Sequence, residues 1–339
     1  MIFATQVRDD ERELFDRELD AFVPPNVFDA HAHLYERSHF GSDLSAKPYL
    51  KTMPERMGLA EYRHYVGQML PGRRLDGLFI PSALEGDPAA INQFVADQVR
   101  DEPRCRAAML IRPEMDADHV RQEARRLGVA GLKCYHLLAR RPDADPTGPT
   151  WNVEISDFLP EHIVQVADEL GLSITLHMVK NRALADARNQ EVIRHYCQTY
   201  PNMRMILAHA ARGFNPHHTV EGIGALAGLQ NVWCDCSAVA DGGAIEAIID
   251  VLGPGRLMYG SDFHVSHFRG RCIAISDSFL WLYEDTVDWS QTAYANLQPV
   301  LVGLESLRCL KLAARHARLT DTQIEDVFYN NAARLYGLD

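Results

Sequence analysis

Short apolar segments alternate with amphipathic segments along most of the chain. The apolar segments are rich in β-branched residues, which is typical of strands, and the amphipathic segments repeat their apolar residues with helical spacing. The pattern predicts eight strands, at residues 27–34, 77–83, 106–113, 131–137, 173–178, 203–210, 231–239 and 256–264. It predicts helices between several of them, at residues 89–102, 115–128, 158–171 and 243–253. Gly128, Gly171 and Gly253 stand where the last three helices would be capped.

Strands that alternate with helices close most simply into a parallel barrel surrounded by helices. We therefore predict an α/β fold, a (β/α)8 TIM barrel, with residues 1–339 as one domain and a barrel core at about 26–338. An open doubly wound sheet is the alternative. It is less favoured because no glycine-rich phosphate loop follows the first strand and because polar residues end nearly every strand.

Three segments fall outside the repeating pattern. Residues 35–76 are expected to form a helical insertion over the barrel mouth, and residues 138–157 an irregular loop. After the eighth strand the chain is expected to continue through extra C-terminal helices. The last of these, at 319–338, begins with Thr320 and Gln323 spaced as in a capping box.

The composition argues against several kinds of partner. The chain has 339 residues, 34 of them Lys or Arg and 46 Asp or Glu, so its formal net charge is −12. Without a basic run it is unsuited to nucleic acid or to an anionic membrane surface. The sequence suggests neither a signal peptide nor a membrane span, and its seven scattered cysteines predict reduced thiols in a cytoplasmic protein.

Residues that bind metals stand at or near the ends of four predicted strands. His31 and His33 end strand 1, and because residues i and i+2 of a strand point to the same side, both are expected to face the barrel interior. His177, His209 and Asp262 hold matching places in strands 5, 6 and 8. Neutral imidazoles and a carboxylate suit Zn²⁺, Mn²⁺ or Fe²⁺. Each residue alone is more often structural, but their recurrence at matching places predicts a metal centre.

The motifs around these residues resemble those of the amidohydrolase superfamily, and in particular its amidohydrolase-2 branch. That branch contains amide and lactone hydrolases, and also decarboxylases related to aminocarboxymuconate-semialdehyde decarboxylase. The resemblance spans about residues 26–338, where five segments follow the family's order: FDAHAH, LKCYH, ILAHAARG, YGSD and NNAARLYGL. The resemblance is specific evidence for the fold and for metal binding, and weak evidence for the identity of the substrate.

The resemblance implies one divalent metal held by His31, His33, His177 and Asp262. Zinc is the expected metal, with manganese and iron as alternatives. His209 would lie beside the metal and polarise the substrate, while Asp262 would also act as a proton shuttle. The chemistry of such a donor set leads to the same roles, because a metal with one open position lowers the pKa of a bound water to about 7.

Lys133 on strand 4 leaves the number of metals open. In dinuclear members of the superfamily a carboxylated lysine on this strand bridges two metals, so two metals are expected if Lys133 is carboxylated. If it is not, its ammonium group is a suitable partner for a substrate carboxylate. Arg212, His136 and His264 also lie at or just past strand ends and complete the predicted substrate-binding residues.

Three functions follow as hypotheses. The leading one is a metal-dependent hydrolase of a carboxylate-bearing amide, cyclic amide or lactone, in which a water activated by the metal attacks the carbonyl group. The second is a metal-dependent decarboxylase of an unsaturated or aromatic carboxylic acid. The third is a non-catalytic barrel that only binds a ligand. The expected partner is a small-molecule substrate, and a homodimer is left open.

Overall fold

A curled nine-stranded sheet forms the centre of the molecule. The structure is a computed structural model that describes residues 1–41, 47–82, 84–140, 149–291 and 297–338. Within these ranges the strands of the large sheet are β1 Asn26–Glu36, β2 Arg56–Met57, β3 Arg74–Pro81, β4 Arg106–Leu110, β5 Gly131–Cys134, β6 Ser173–Leu176, β7 Arg204–Leu207, β8 Val232–Asp235 and β9 Leu257–Met258. The fold is therefore mixed α/β, as the sequence predicts.

Eight strands of this sheet are parallel and lie in sequence order, and only the short β2 runs antiparallel, against the end of β1. The first and last parallel strands are also joined. The amide of Ala30 donates to the carbonyl of Tyr259 at 2.9 Å, that of His33 to Phe263 at 2.7 Å, and that of Asp262 to His31 at 2.8 Å. The sheet thus curls back on itself in a TIM-barrel-like arrangement.

Helices flank the strands and follow them to the C-terminus. They are α1 Asp9–Leu14, α2 Leu59–Met69, α3 Pro88–Val99, α4 Ala117–Leu127, α5 Glu161–Leu170, α6 Ala187–Thr199, α7 Ala208–Arg212, α8 Pro216–Gly222, α9 Gly242–Leu252, α10 Val302–His316, α11 Asp321–Glu325 and α12 Asn331–Tyr336. Gly128 and Gly171 cap α4 and α5 in the left-handed conformation, and Thr320 forms the capping box of α11, as predicted. No helix in the described ranges is long and apolar enough to cross a membrane.

Strand β1 contains a bulge that decides which residues face inward. Asp29 pairs with Gly77 and Ala32 with Phe79, so Ala30 and His31 together oppose a single residue of β3. Asp29 contacts helix α2 outside the sheet. The bulge and the residues after it direct His31 and His33 into the barrel mouth. The register of one strand therefore separates a structural carboxylate from the predicted metal ligands.

The described part of the predicted insertion at 35–76 contains one α-helix, α2, and residues 42–46 of the insertion lie outside the described ranges. Tyr62 of α2 is fully buried and packs edge-on against Phe79 and Phe263. Ahead of α2, the short helical turn Pro48–Lys51 brings Tyr49 onto the ring of His264. The insertion therefore both packs beside the sheet and reaches the residues that follow β9.

The segment after the eighth strand contains the predicted C-terminal helices, as α10, α11 and α12, but an unpredicted hairpin precedes them. This segment first forms a hairpin of β10 Gly270–Ile275 and β11 Ser278–Tyr283, joined by Ser276 and Asp277. Two apolar runs separated by two residues are a hairpin signal, but Ser-Asp is a weaker turn pair than Asn-Gly or Asp-Gly. The aromatic residues Phe279, Trp281 and Tyr283 of β11 alternate with leucines and therefore share one face, from which Phe279 and Trp281 pack on Phe214.

Several predicted boundaries also differ from the structure. The predicted strands 203–210, 231–239 and 256–264 end at Leu207, Asp235 and Met258, because the polar residues that follow leave the sheet at the barrel mouth. Residue 83 of the second predicted strand and residues 141–148 of the predicted loop lie outside the described residues.

Candidate metal centre

Three of the predicted ligands converge at the carboxyl ends of β1 and β9. Nε2 of His31 lies 3.2 Å from Nε2 of His33, and Oδ1 of Asp262 lies 3.3 Å from Nε2 of His33 and 3.9 Å from Nε2 of His31. All three side chains are buried. Their ligand atoms lie within 4.8 Å of one another, which is the spacing expected of donors around a single ion.

The outer nitrogen of each of these two imidazoles has an acceptor. Nδ1 of His31 lies 3.0 Å from Oδ2 of Asp235 and donates to that carboxylate. Nδ1 of His33 lies 3.3 Å from the hydroxyl of Tyr135, which donates its own proton to the carbonyl of Pro81 at 2.9 Å. The tyrosine oxygen can therefore only accept from His33. These partners place the proton of both rings on Nδ1 and leave Nε2 with a lone pair.

The two remaining histidines of the predicted set have the same tautomer. Nδ1 of His177 lies 2.9 Å from the carbonyl of Met178. Nδ1 of His209 lies 3.0 Å from the carbonyl and 2.9 Å from the hydroxyl of Ser237. That hydroxyl donates to Asp235, so it accepts from His209. In all four rings Nε2 is thus available as a ligand atom.

This pattern fits a bound cation. Two nitrogen lone pairs 3.2 Å apart repel each other unless a positive charge lies between them. A proton on one of the rings is an unsuitable source of this charge at neutral pH, because burial lowers the pKa of His33 to about 4 and that of His177 well below its usual value. A divalent metal satisfies both observations, and the residues present therefore suit the metal that the sequence predicts.

The four rings form a row of neighbours in the order His33, His31, His209 and His177. The ring of His209 is centred 4.8 Å from that of His31, and the ring of His177 is centred 5.2 Å from that of His209. Ligand atoms of His31, His209 and Asp235 form a second possible metal group in the described part of the chain. His177 belongs to neither group, so the structure brings it beside the centre without bringing it as close as the other predicted ligands.

Asp235 is better explained as a support than as a ligand. Its Oδ2 accepts from Nδ1 of His31, and its Oδ1 accepts from the amides of His209 and Ser237 and from the Ser237 hydroxyl at 2.5 Å. Burial raises the pKa of this carboxyl, but the nearby His31 and His209 and the donors from Ser237 outweigh burial and hold it below its usual value. A carboxylate that already accepts four hydrogen bonds orients the imidazoles around it.

Asp262 remains open towards the centre. Burial raises the pKa of its carboxyl, yet the interactions with His209, His33 and His31 lower it below its usual value, so the group is ionised. Its backbone has a φ of 53°, which is unusual for a residue other than glycine. The conformation is held from both sides, because its amide donates to the carbonyl of His31 and the preceding Ser261 is bound to Asp29.

Asp29 joins the two strands that carry the first three ligands. Its fully buried carboxylate accepts from the amide of His31 at 3.0 Å, the hydroxyl of Tyr62 at 3.0 Å, and both the amide, at 2.8 Å, and the hydroxyl of Ser261. Burial raises the pKa of Asp29 to about 6. The residue therefore fixes the backbone beside His31 and Asp262 rather than the ring of a ligand.

The predicted substrate-binding residues border this centre on different sides. The Lys133 side chain is buried, its Nζ lies 4.9 Å from the centre of the Tyr135 ring, and burial lowers its pKa. Arg212 donates to the carbonyl of Lys180 at 2.6 Å and lies over the ring of Phe279. Both are cations near the mouth of the barrel without a carboxylate partner among the described residues.

The other two predicted substrate-binding residues are histidines. Nδ1 of His136 lies 3.2 Å from the hydroxyl of Thr150, and its ring is centred 5.5 Å from that of His177. The ring of His264 is centred 6.2 Å from that of His33 and stacks on Tyr49. They therefore lie at opposite ends of the row of imidazoles.

An aromatic group that the sequence did not predict covers one side of the row. Phe214 stacks on His209 with ring centres 5.2 Å apart, and the hairpin residues Phe279 and Trp281 pack on Phe214 at 5.1 and 5.4 Å. Trp281 in turn stacks on Tyr283 with an interplanar angle of 2°. This aromatic wall gives the centre an apolar side.

Fold and centre together define a class: an α/β enzyme with a TIM-barrel-like sheet whose parallel strands present histidines and a carboxylate at their carboxyl ends. A family model described as amidohydrolase matches residues 28–338, and the chain belongs to this amidohydrolase family. The resemblance inferred from its motifs is confirmed. The protein is accordingly an enzyme of hydrolase or carboxy-lyase type.

Solved structures with the same fold include both reaction types. An amidohydrolase from Burkholderia multivorans with bound zinc is 15% identical, covers 92% of this chain and 99% of its own, and has a TM-score of 0.57. A protein from Pseudomonas putida designated 2-pyrone-4,6-dicarboxylic acid hydrolase is 17% identical, with 93% and 98% covered and a TM-score of 0.55. The 5-carboxyvanillate decarboxylase from Sphingomonas paucimobilis is 14% identical, with 93% and 100% covered and a TM-score of 0.55. No curated protein is detectably similar to the chain.

Proposed function

We propose that the protein is a metal-dependent hydrolase of a carboxylate-bearing lactone, cyclic amide or amide. The observation that supports this most directly is the shared tautomer of four neighbouring imidazoles, of which His31 and His33 place Nε2 3.9 and 3.3 Å from the buried carboxylate of Asp262. His31, His33 and Asp262 would hold one divalent metal, with His177 as the further ligand and zinc as the expected ion. A metal bound there would lower the pKa of a water molecule and polarise a carbonyl oxygen.

The residues around the metal would divide the remaining work. An ionised Asp262 can accept a proton from the attacking water at Oδ and return it to the leaving group. His209 has its proton on Nδ1, directed at Ser237, so its Nε2 accepts rather than donates a hydrogen bond. We therefore propose His209 as a proton acceptor or an additional ligand. It could polarise a substrate oxygen, the role expected from the resemblance, only after Nε2 is protonated.

Lys133 and Arg212 would bind the carboxylate of the substrate. Each is a partly or fully buried cation without a carboxylate partner in the described part of the chain, and burial lowers the pKa of both. A substrate anion would compensate these charges. This role of Lys133 requires an unmodified ammonium group. A site with one metal is therefore proposed, because a second metal would require Lys133 to be carboxylated.

The aromatic wall favours decarboxylation of an unsaturated or aromatic acid as a second candidate function. Phe214 and Trp281 would give an unsaturated or aromatic substrate an apolar surface to pack on, and an apolar side keeps water from the reacting carboxylate. The same residues would then serve a carboxy-lyase, with Asp262 protonating the carbon atom from which carbon dioxide departs. Substrate assays separate the two reactions.

The proposal is tested by metal analysis and two substrates. We expect about one equivalent of divalent metal per chain, and ring opening of 2-pyrone-4,6-dicarboxylate or a related lactone acid. Release of carbon dioxide from 5-carboxyvanillate without lactone opening would instead support the second candidate. His33→Ala should lose both metal and turnover, whereas His217→Ala, in a residue of α8 away from the centre, should lose neither. Turnover by a metal-free His33→Ala protein would contradict both candidates.

A further inference from the structure

A second cavity lies at the opposite end of the sheet from the candidate metal centre. It has a volume of about 470 Å³, within the range of small-molecule sites. Arg204 begins β7, Trp233 lies in β8 and Arg256 immediately precedes β9, so three neighbouring strands contribute to it at their amino ends. Its lining residues are Arg204, Trp233, Leu252, Gly255, Arg256, Asn331, Arg334 and Leu335.

The charge of this cavity is strongly positive for a chain with a net charge of −12. Its lining contains three arginines and no acidic residue. Arg334 is exposed and forms an ion pair with Asp326 at 3.2 Å, which offsets one of the three charges. The charges of Arg204 and Arg256 have no carboxylate partner among the described residues.

Arg204 is the most informative of the three. It is half-buried at the start of β7, and its side chain makes no hydrogen bond or ion pair with any residue of the described ranges. A guanidinium group has five N–H donors, and those of Arg204 line the cavity without an acceptor from the described residues. An anion in the cavity would supply the missing acceptors.

The side chain of Arg256 is held in place by two contacts. Its guanidinium carbon lies 4.4 Å from the centre of the Trp233 ring, and one Nη donates to Gln230 at 3.3 Å. Burial lowers its pKa, which shows that its charge is not compensated locally. Stacking on an aromatic ring fixes the plane of a guanidinium group and leaves its edge free for a bidentate contact.

We propose that this cavity binds a small phosphate-bearing molecule between Arg204 and Arg256, with Arg334 at its rim. Planar guanidinium groups match the oxygens of phosphate in bidentate pairs, and two such groups compensate a doubly charged anion. The volume exceeds that of a phosphate group alone, so the remainder of the ligand would lie against Trp233 and Leu252. This site is independent of the reaction proposed above.

Calorimetric titration of the metal-loaded protein with pyrophosphate tests the proposal. We expect saturable binding of one equivalent, weakened at least tenfold in Arg204→Gln and in Arg256→Gln, because each loses a charge-assisted contact. Arg125→Gln, which removes an exposed arginine from α4, should bind within twofold of the unaltered protein. The affinity of Arg204→Lys should lie between these results, since lysine keeps the charge but cannot form the bidentate contact of a guanidinium group.

Three results would overturn the proposal. These are an absence of binding at millimolar pyrophosphate, equal affinity in the unaltered protein and both cavity variants, and an equal loss in Arg125→Gln. The same variants would show whether pyrophosphate binds to the metal instead of the cavity. Its binding would be lost in His33→Ala and retained in Arg204→Gln, which is the reverse of the expected pattern. Arg256→Gln keeps the test decisive if Arg204→Gln does not fold.

Discussion

At the scale of single residues, the centre depends on carboxylates that would not touch a metal. Asp235 binds the ring of His31 with one oxygen and the backbone of His209 with the other. Such partners fix the tautomer and the angle of a ligand, and their loss typically weakens metal binding 10- to 100-fold. Asp29 fixes backbone instead, so its contribution is to stability and strand position.

Asp235→Asn is expected to weaken zinc affinity about 10- to 100-fold. The amide is neutral, and its NH2 group cannot accept a hydrogen bond from the N–H groups of His31 and His209. Competition with a chelator measures the affinity, and circular dichroism checks the fold. Asp116→Asn is the matched control, because this exposed residue caps α4 and asparagine caps a helix equally well. Unchanged affinity in Asp235→Asn would show that the imidazoles are oriented without it.

Asp235 was not predicted from the sequence, where it stands between two cysteines in an apolar segment. Those cysteines, Cys234 and Cys236, are buried free thiols and belong to neither possible metal group of the described residues. An aspartate inside an apolar strand does carry a signal, since a buried charge requires a partner. Its partner, however, lies on a strand 204 residues away and cannot be identified without the fold.

At the scale of elements, α7 is the least regular part of the centre. His209, Ala210 and Ala211 have φ values of 56°, 51° and 59°, and Arg212 has 59°, so four successive residues other than glycine are left-handed. Each costs roughly 1–2 kcal/mol relative to a right-handed turn. The turn carries His209 and Arg212 away from the line of β7, one towards the imidazoles and the other towards Phe279.

Ala211→Gly should change the free energy of unfolding by less than about 0.5 kcal/mol, because relief of left-handed strain offsets the lost methyl group. Ala167→Gly is the control, since it is equally buried but lies in the regular helix α5. There the same change should cost about 1–2 kcal/mol. Urea denaturation of the two variants provides the comparison, and equal losses would show that α7 stores no strain.

The regular elements were predictable from sequence, whereas the irregular ones were not. Apolar runs located all eight parallel strands, and glycines located the ends of α4 and α5, because burial and capping are local properties. The bulge of β1, the left-handed α7 and the β10–β11 hairpin depend on contacts between distant segments. The aromatic wall belongs to the hairpin, and for that reason it was missed as well.

At the scale of the whole molecule, the strands connect two ends with different chemistry. The carboxyl ends gather histidines around an ionised carboxylate, and the amino ends gather arginines around a cavity. β7 contributes to both, with Arg204 at its start and His209 just beyond its end. The net charge of the chain therefore says little about either site, because each depends on a local excess.

Buried histidines should make the stability of the whole molecule sensitive to acid. Burial lowers the pKa of His267 to about 4, whereas an unfolded histidine has a pKa of about 6.5. The unfolded chain therefore binds more protons between these values. Stability should fall as the pH decreases below about 6.5 and level off below about 4. From pH 7 to pH 5 this single residue accounts for about 2 kcal/mol.

His267→Phe should remove this share of the acid sensitivity. The His267 ring stacks on Phe3 and meets Phe263 edge-on, so an aromatic replacement keeps these contacts. Chemical denaturation at pH 7 and pH 5 should show a loss about 2 kcal/mol smaller in the variant than in the unaltered protein. His64→Gln, at an exposed position of α2, should leave the loss unchanged. Equal losses in His267→Phe and the unaltered protein would refute the assignment.

The bonds of Asp29 to Ser261 also determine when the enzyme can become functional during its synthesis. They connect residues 232 positions apart, and the strands that they join carry His31 and His33 on one side and Asp262 on the other. A growing polypeptide that has emerged only as far as β8 possesses two of these donors but not the third. Capture of the proposed ion would therefore be a late event, because β9 and the residues that follow it must first leave the ribosome.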